Sequence, residues 1–246
     1  VKIVKKVFVF ADSHAPEFDE VATRCAIKLG QFYKPDLILG LGDIGEYGSV
    51  SSFSKGKPKL LEGMRIKDDV ESATAYLNLM STINPKAEKV CLLGNHEARV
   101  EKYIQENPQT DGLVSVRTEY EKVGWQTIEE NIPYSICHKL IAIHGINWGK
   151  YAAAKHLEMY SKSVLFGHIH KPQSFAHSFY DGVKMSWACP CLGDLNPNYL
   201  RNKPTAYVHG CVLIDVLDNG NFFLDTVLIF DGITSRFGSI FDGSKK

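Results

Sequence analysis

The sequence predicts an α/β protein that opens with a parallel β-α-β unit and finishes in hairpins. Two nearly unbroken apolar runs, Lys5 to Phe10 and Asp36 to Leu41, flank a stretch of helical spacing, as strands covered on both faces do. Three further apolar runs, Val90 to Leu93, Lys139 to Ile143 and Ser163 to Phe166, each stop at glycine or histidine. Beyond residue 173 the strand-like runs are separated by Asp181-Gly182 and Asp218-Asn219-Gly220, which read as hairpin turns.

Taken in order, the first strand ends at Ala11-Asp12-Ser13-His14. The helix predicted over Glu17 to Tyr33 places Phe18, Val21, Ala22, Cys25, Ala26 and Leu29 on one face, and Pro35 stops it. The second strand ends at Gly42-Asp43. From Ile44 to Gly63 glycine, serine and lysine dominate, so a long surface loop is expected. Asp68 to Ile83 spaces Val70, Ala73, Leu77 and Met80 for a helix, with Asp68 and Asp69 suited to its N-terminus. After the strand ending in Gly94 comes Asn95-His96-Glu97 and a helix to Gln105, ended by Asn107-Pro108. Residues 109 to 135 carry no clear period. Lys150 to Tyr160 reads as a short helix, and Phe175 to Tyr180, Val183 to Ala188, Ala206 to Leu217 and Asn221 to Phe230 as strands. The terminal GSIFDGSKK is expected to fray.

At 246 residues the chain can bury a sizeable core, and with no repeat or linker it reads as one domain over 1–246. Lys plus Arg and Asp plus Glu both total 28, so no overall charge advertises a nucleic-acid surface. The apolar run Val7 to Ala11 is too short for a signal peptide core or a membrane span. The six cysteines are scattered, and Cys189-Pro190-Cys191 has neither zinc-ribbon nor redox spacing. A cytoplasmic protein without disulfides, secretion or membrane attachment is expected.

Five strand ends therefore present Asp12-Ser13-His14, Gly42-Asp43, Gly94-Asn95-His96-Glu97, His144-Gly145 and Gly167-His168-Ile169-His170. One histidine in an apolar segment is usually a core or surface residue. Asp, Asn and His recurring together at strand ends are the donors that divalent metals use, beside glycines that admit close backbone approach. C-terminal strand edges are also where open α/β sheets bind ligands.

These motifs, in this order and over about residues 7 to 172, resemble the calcineurin-like metallophosphoesterase superfamily, whose signature is D-x-H, G-D, G-N-H-[DE], H and G-H-x-H. The resemblance implies two packed mixed β-sheets flanked by helices, an αββα sandwich. It implies two divalent metal ions, manganese first, with iron, zinc or nickel suiting the same donors. Asp12, His14 and His170 would hold one and Asn95, His144 and His168 the other, with Asp43 bridging both. A hydroxide held by the metals would hydrolyse a phosphomono- or phosphodiester, and His96 would be the catalytic histidine, oriented by Asp12 or another carboxylate nearby.

The resemblance also has departures. Protein Ser/Thr phosphatases of the superfamily carry G-D-x-V-D-R-G, whereas this chain has Gly42-Asp43-Ile44-Gly45-Glu46 and lacks that phosphate-clamping arginine. Its GNHEAR is similar to their G-N-H-E-C-R, so Arg99 is a candidate substrate contact; the plainer reading is an exposed helix arginine. Cys191-Leu192-Gly193 stands where relatives often carry a Gly-Ser turn, with no function attached. GHIHKPQ at 167–173 is similar to double-strand-break repair nucleases, which makes a DNA or RNA nuclease the alternative, although the capping domain of those enzymes has no counterpart here. The layout resembles small stand-alone phosphoesterases, often encoded by bacteriophages. A non-catalytic scaffold on the same fold is the rival from another class, and retention of every signature residue argues against it. The expected partner is a phosphoester substrate, whether nucleotide, nucleic acid or phosphoprotein, with no membrane and no obligate protein partner. Finally, Gly45 to Lys67 carries Lys55, Lys57, Lys59, Arg65 and Lys67 against Glu46 and Glu62. Leaving directly from Asp43, it can overlie the site and attract polyanions.

Overall fold

A computed structural model describes residues 1–197, 200–201 and 203–245. In β1 (Ile3–Phe10) alternate side chains enter different buried clusters, Val7 and Val9 in one and Phe8 and Phe10 in the other. That period-two division explains why the run is apolar throughout. α1 (Glu20–Tyr33) starts later than its spacing suggested. Asp19 caps it, accepting from Ala22 N at 2.7 Å, and Glu17 instead donates its N–H to His14 O in the turn before it.

β2 (Leu37–Gly40) and β3 (Glu88–Leu92) add to β1 in parallel. Between them the expected loop contains a 3₁₀ turn, Gly48–Val50, and a single helical turn, α2 (Pro58–Leu61), before α3 (Ile66–Ser81). α4 (Ala98–Glu106) follows β3. The stretch without a clear period holds α5 (Val116–Lys122), β4 (Gln126–Ile128) and β5 (Tyr134–Cys137). Then come β6 (Leu140–Ile143), α6 (Ala152–Tyr160), β7 (Ser163–Phe166), β8 (Gln173–Phe179), β9 (Gly182–Ala188), β10 (His209–Leu217) and β11 (Phe222–Ile229).

One sheet runs β11-β10-β1-β2-β3-β4 and the other β5-β6-β7-β9-β8. Both are mixed, and β9 is parallel to β7 while antiparallel to β8. Val7, Leu39, Val90 and Ile214 of the first sheet share a buried cluster with Leu140, Ala142 and Leu165 of the second. Phe8, Phe10, Ile38 and Cys91 turn to the other face of the first sheet, against α1 and α3. Ile141, Ile143, Val164 and Phe166 cover theirs with α6. The architecture is two packed mixed sheets flanked by helices, as expected.

The C-terminal segment does not fray. β12 (Ile233–Arg236) and β13 (Ser239–Asp242) form a hairpin against α1. Phe241 is buried, Lys28 Nζ donates to Asp242 O at 2.9 Å, and Arg24 Nε donates to Gly243 O at 2.8 Å. One inward aromatic and two side-chain donors anchor a segment whose composition suggested a tail. No helix among the described residues is long and apolar enough to cross a membrane.

Candidate metal centre

Parallel strands of both sheets end at one place, where β1, β2 and β3 deliver their loops opposite those of β6 and β7. The backbone there is strained. Asp12, His14, Asp43, His168 and His170 all have positive φ, from 50° to 70°, a region that L-residues seldom occupy and that clusters at functional sites. Close approach explains two glycines. A Cβ on Gly42, which has φ +100°, would lie 2.8 Å from Gly94 N, and one on Gly94 would lie 2.6 Å from Asp43 N.

The turns bring nitrogen and oxygen donors together in overlapping triads. Asp12, His14 and His170 form one, His14, Asp43 and His96 another, and Asp43, His144 and His168 a third, each with its donor atoms within 4.8 Å of one another. His14 Nε2 lies 3.1 Å from His170 Nε2, and Asp12 Oδ1 lies 3.7 Å from the latter. Both Asp12 oxygens accept from His168 N. His144 donates through Nδ1 to Leu41 O at 2.8 Å, which turns Nε2 toward Asn95 Oδ1 at 3.0 Å and Asp43 Oδ2 at 3.3 Å. Every signature residue of the sequence therefore stands in or beside this cluster.

Two carboxylates that sequence reasoning passed over complete it. Glu46 Oε2 lies 2.9 Å from His14 Nδ1 and 3.1 Å from His96 Nδ1, and Arg99 Nη1 donates to Glu46 Oε1 at 3.0 Å. Arg99 Nη2 reaches His96 Nε2 at 2.7 Å. The carboxylates beside His96 are Glu46 at Nδ1 and Asp43, whose Oδ2 lies 3.8 Å from Nε2, and Arg99 is partly buried in the same network. Glu97 is almost fully buried. It accepts from Asp43 N, Ile44 N, Gly45 N and Gly94 N at 2.8–3.2 Å and from Tyr120 Oη at 3.0 Å. It ties the turn after β2 to the turn after β3. The Cys191-Leu192-Gly193 segment flanks the first turn, with Leu192 N donating to Ala11 O and Gly193 N to Asp12 O.

The electrostatics are those of a crowded, dry site. Burial pushes the Asp12 carboxyl up to about 7; His144 pulls against that and the Asp43 carboxylate adds to it. Burial would lower His144, but Asp43 beside it holds the ring up at about 10. Burial and the neighbouring His144 bring His168 down to about 4. Burial opposes ionisation of Glu46, yet hydrogen bonds with His14 and His96 hold its carboxyl well below the usual range.

A family model described as calcineurin-like phosphoesterase matches residues 5–172. The chain belongs to this family. No curated protein matches it in sequence. Among solved structures, wild-type Vps29 from Entamoeba histolytica, complexed with zinc, is 13% identical with TM-score 0.51, covering 97% of this chain and 99% of its own. Vacuolar protein sorting 29 from Cryptosporidium parvum is 14% identical with TM-score 0.51, covering 98% and 100%. YfcE, a phosphoesterase from E. coli, is 12% identical with TM-score 0.41, covering 89% and 98%. At these identities the first two likenesses establish the shared fold.

The donor set of this calcineurin-like phosphoesterase fits divalent cations. With Nδ1 donating to Leu41 O, His144 turns Nε2 to Asn95 Oδ1 and Asp43 Oδ2, and the Asp43 carboxylate holds a proton on that nitrogen. A divalent cation would take the place of that proton, and a ring N–H fixed on a backbone carbonyl is the usual support of a metal-bound histidine. Glu46 and Glu97 escaped the sequence because each reads locally as something ordinary, a loop charge and a helix-start acid. The G-N-H-[DE] motif contained a signal for Glu97, and spacing alone gave its purpose no form.

Proposed function

We propose that this protein is a binuclear metal-dependent phosphoesterase acting on phosphomono- or phosphodiesters. One ion would be held by Asp12, His14 and His170 and the other by Asn95, His144 and His168, with Asp43 shared. The observation that carries the reading is that Asp43 belongs both to a donor group with His14 and to one with His144 and His168, while His96 stands beside it backed by Glu46. Bound divalent ions supply a field that neutralises phosphate oxygens and lowers the pKa of water from about 15.7 towards about 7.

The chain's own residues do the rest. Glu46 keeps the proton of His96 on Nδ1 through its backbone oxygen at 3.0 Å and its carboxylate, leaving Nε2 toward the substrate. There Arg99 Nη2 and His96 Nε2 converge, so an arriving phosphate oxygen meets a guanidinium and an imidazole together. As Arg99 turns from Nε2 to the phosphate, Nε2 is freed to take up a proton from solvent, giving an imidazolium paired with Glu46 that would pass this Nε2 proton to the leaving oxygen and return to the neutral ring. Burial of Asp12 and Asp43 keeps bulk water from screening these charges.

The test is hydrolysis of p-nitrophenyl phosphate and of its bis-ester by manganese-loaded protein. His96→Asn should keep its metal by elemental analysis but lose about 10²–10⁴-fold in turnover on alkyl phosphates, whose leaving groups need protonation. The loss should be smaller with p-nitrophenolate as leaving group, and equal losses would refute the general-acid role. Absence of hydrolysis of either ester would favour the scaffold reading. Cleavage of a DNA or RNA strand in preference to both would favour the nuclease.

A further inference from the structure

Beside the centre, a cleft of about 240 Å³ is bordered by Ser51, Lys55, Arg99, Lys102, Tyr103 and Glu106 among others. Resting on the phosphoesterase reading above, we propose that this cleft is a subsite for a second phosphate carried by the alcohol portion of the substrate. That chemistry belongs to nucleoside bisphosphates and to oligonucleotides.

Four observations converge on it. Lys102 and Tyr103 lie three and four residues beyond Arg99, and Glu106 four and three beyond them, along α4, so the four share one helix face with i, i+3 and i, i+4 neighbours about 5–6 Å apart. The inner end of that face is Arg99, whose Nη2 already meets His96 Nε2. The cleft therefore begins where the reacting phosphate is placed and runs outward. Three cationic side chains line it against one carboxylate; the Ser49 hydroxyl is committed to Asp69, and that of Ser51, which accepts from Phe53 N, keeps its hydrogen to donate. Finally, Lys55 Nζ pairs with Glu106 Oε2 at 2.8 Å, while Lys102 makes no hydrogen bond or ion pair among the described residues. A glutamate across a cationic cleft is an internal stand-in for the anion that displaces it. The same pairing draws on a carboxylate outside the loop, where the sequence set only Glu46 and Glu62 against its basic residues. Lys67 is also taken, by Glu71 at 3.5 Å, and Glu46 sits inside the centre. Lys57, Lys59 and Arg65 keep no carboxylate partner among the described residues, so the loop adds positive charge around a cleft that itself holds Lys55, Arg99 and Lys102.

The experiment compares thymidine 3′,5′-bisphosphate with thymidine 5′-monophosphate on manganese-loaded protein. The readout is the ratio of their dissociation constants, or of KM values where the ligand is turned over, with released phosphate followed alongside. The parent protein should favour the bisphosphate by about tenfold at low salt, the yield of one charge-assisted contact. The preference should shrink between about 50 and about 300 mM salt. In a Lys55→Ser, Lys102→Ser double variant the ratio should fall to about one. Glu106→Gln should raise it, because the competing carboxylate is gone; a general loss of structure would not produce these opposite signs. A ratio near one in the parent, an unchanged ratio in the double variant, or a lower ratio in Glu106→Gln would overturn the proposal. A 5′-phosphorylated tetrathymidylate that binds tighter than the bisphosphate would identify a nucleic-acid strand as the source. Equal binding would identify a free nucleotide, and both outcomes uphold the subsite. If the ratios hold while neither phosphate is released from the bisphosphate nor p-nitrophenolate from the bis-ester, the hydrolase reading fails and the subsite stands.

Discussion

Replacing Glu97 by glutamine should loosen the centre without touching a proposed ligand. In the parent, Oε1 accepts from Ile44 N, Gly45 N and Tyr120 Oη, and Oε2 accepts from Asp43 N and Gly94 N. Whichever way the amide is turned, its NH₂ faces two backbone N–H donors that then lack a partner. Each buried orphan costs about 1–3 kcal/mol, so the substitution should cost about 2–6 kcal/mol out of a typical total of about 5–15 kcal/mol. Tyr120→Phe orphans no backbone group near Glu97 but leaves the buried Tyr47 hydroxyl, which donates to Tyr120 Oη at 3.0 Å, without that acceptor, so it should cost about 1–3 kcal/mol, the penalty of one orphan rather than two. Urea titration followed by tryptophan fluorescence measures both. Because Glu97 fixes the turn bearing Asp43, Glu97→Gln should also weaken manganese binding more than Tyr120→Phe does. A change in unfolding free energy below about 0.5 kcal/mol, or equal metal affinity in the two variants, would refute the clamp.

Two other outcomes follow from the geometry. Asp43→Asn should deplete both metal positions in elemental analysis and cost more activity than any other single ligand change, since Asp43 is the carboxylate shared between the two proposed sites; two tightly held ions in that variant would remove the bridging assignment. His156 is buried, and its Nε2 accepts from Ile146 N at 3.1 Å and Asn147 N at 3.3 Å; burial brings the ring down from 6.5 to about 4. A base depressed in the folded state contributes stability that is whole above its unfolded value and disappears as pH falls through the folded one. Urea midpoints should therefore drop between pH 6.5 and about 4, and less steeply in His156→Gln; parallel profiles would exclude His156 as the cause.

Strand ends were the most readable part of this chain. An apolar run that stops at glycine and a metal-type donor is a local pattern, and Asp12, Asp43, Asn95, His144 and His168 each sit one to three residues beyond a strand. Glu46 and Glu97 were not readable in the same way. Their importance comes from which way a strained turn aims them, and the turn is set by partners 32 to 54 residues distant in sequence. Residues 109 to 135 resisted for another reason. α5 buries Val116 and Tyr120 and leaves the rest at the surface or partly covered, so its apolar stripe is too thin to show a period. The C-terminal hairpin is anchored by Phe241 packing on Phe32 of α1, with ring centroids 5.5 Å apart, a tertiary contact with no local signature.

The division of donors between the sheets has a consequence for the chain as a polymer. Asp12, His14, Asp43 and Asn95 come from the first sheet, and His144, His168 and His170 from the second. His14 and His170, whose ring nitrogens lie 3.1 Å apart, are separated by 156 positions. An ion gripping both would act as a reversible cross-link closing a very long loop. For a permanent bond across about 100 residues, loop closure alone is worth about 4.7 kcal/mol in the chain-entropy treatment. The grip can form only after the two sheets have docked, so it would arrive late in folding and be the first thing to let go. Chelation should then shorten the lifetime of the folded state far more than it alters the rate of reaching it.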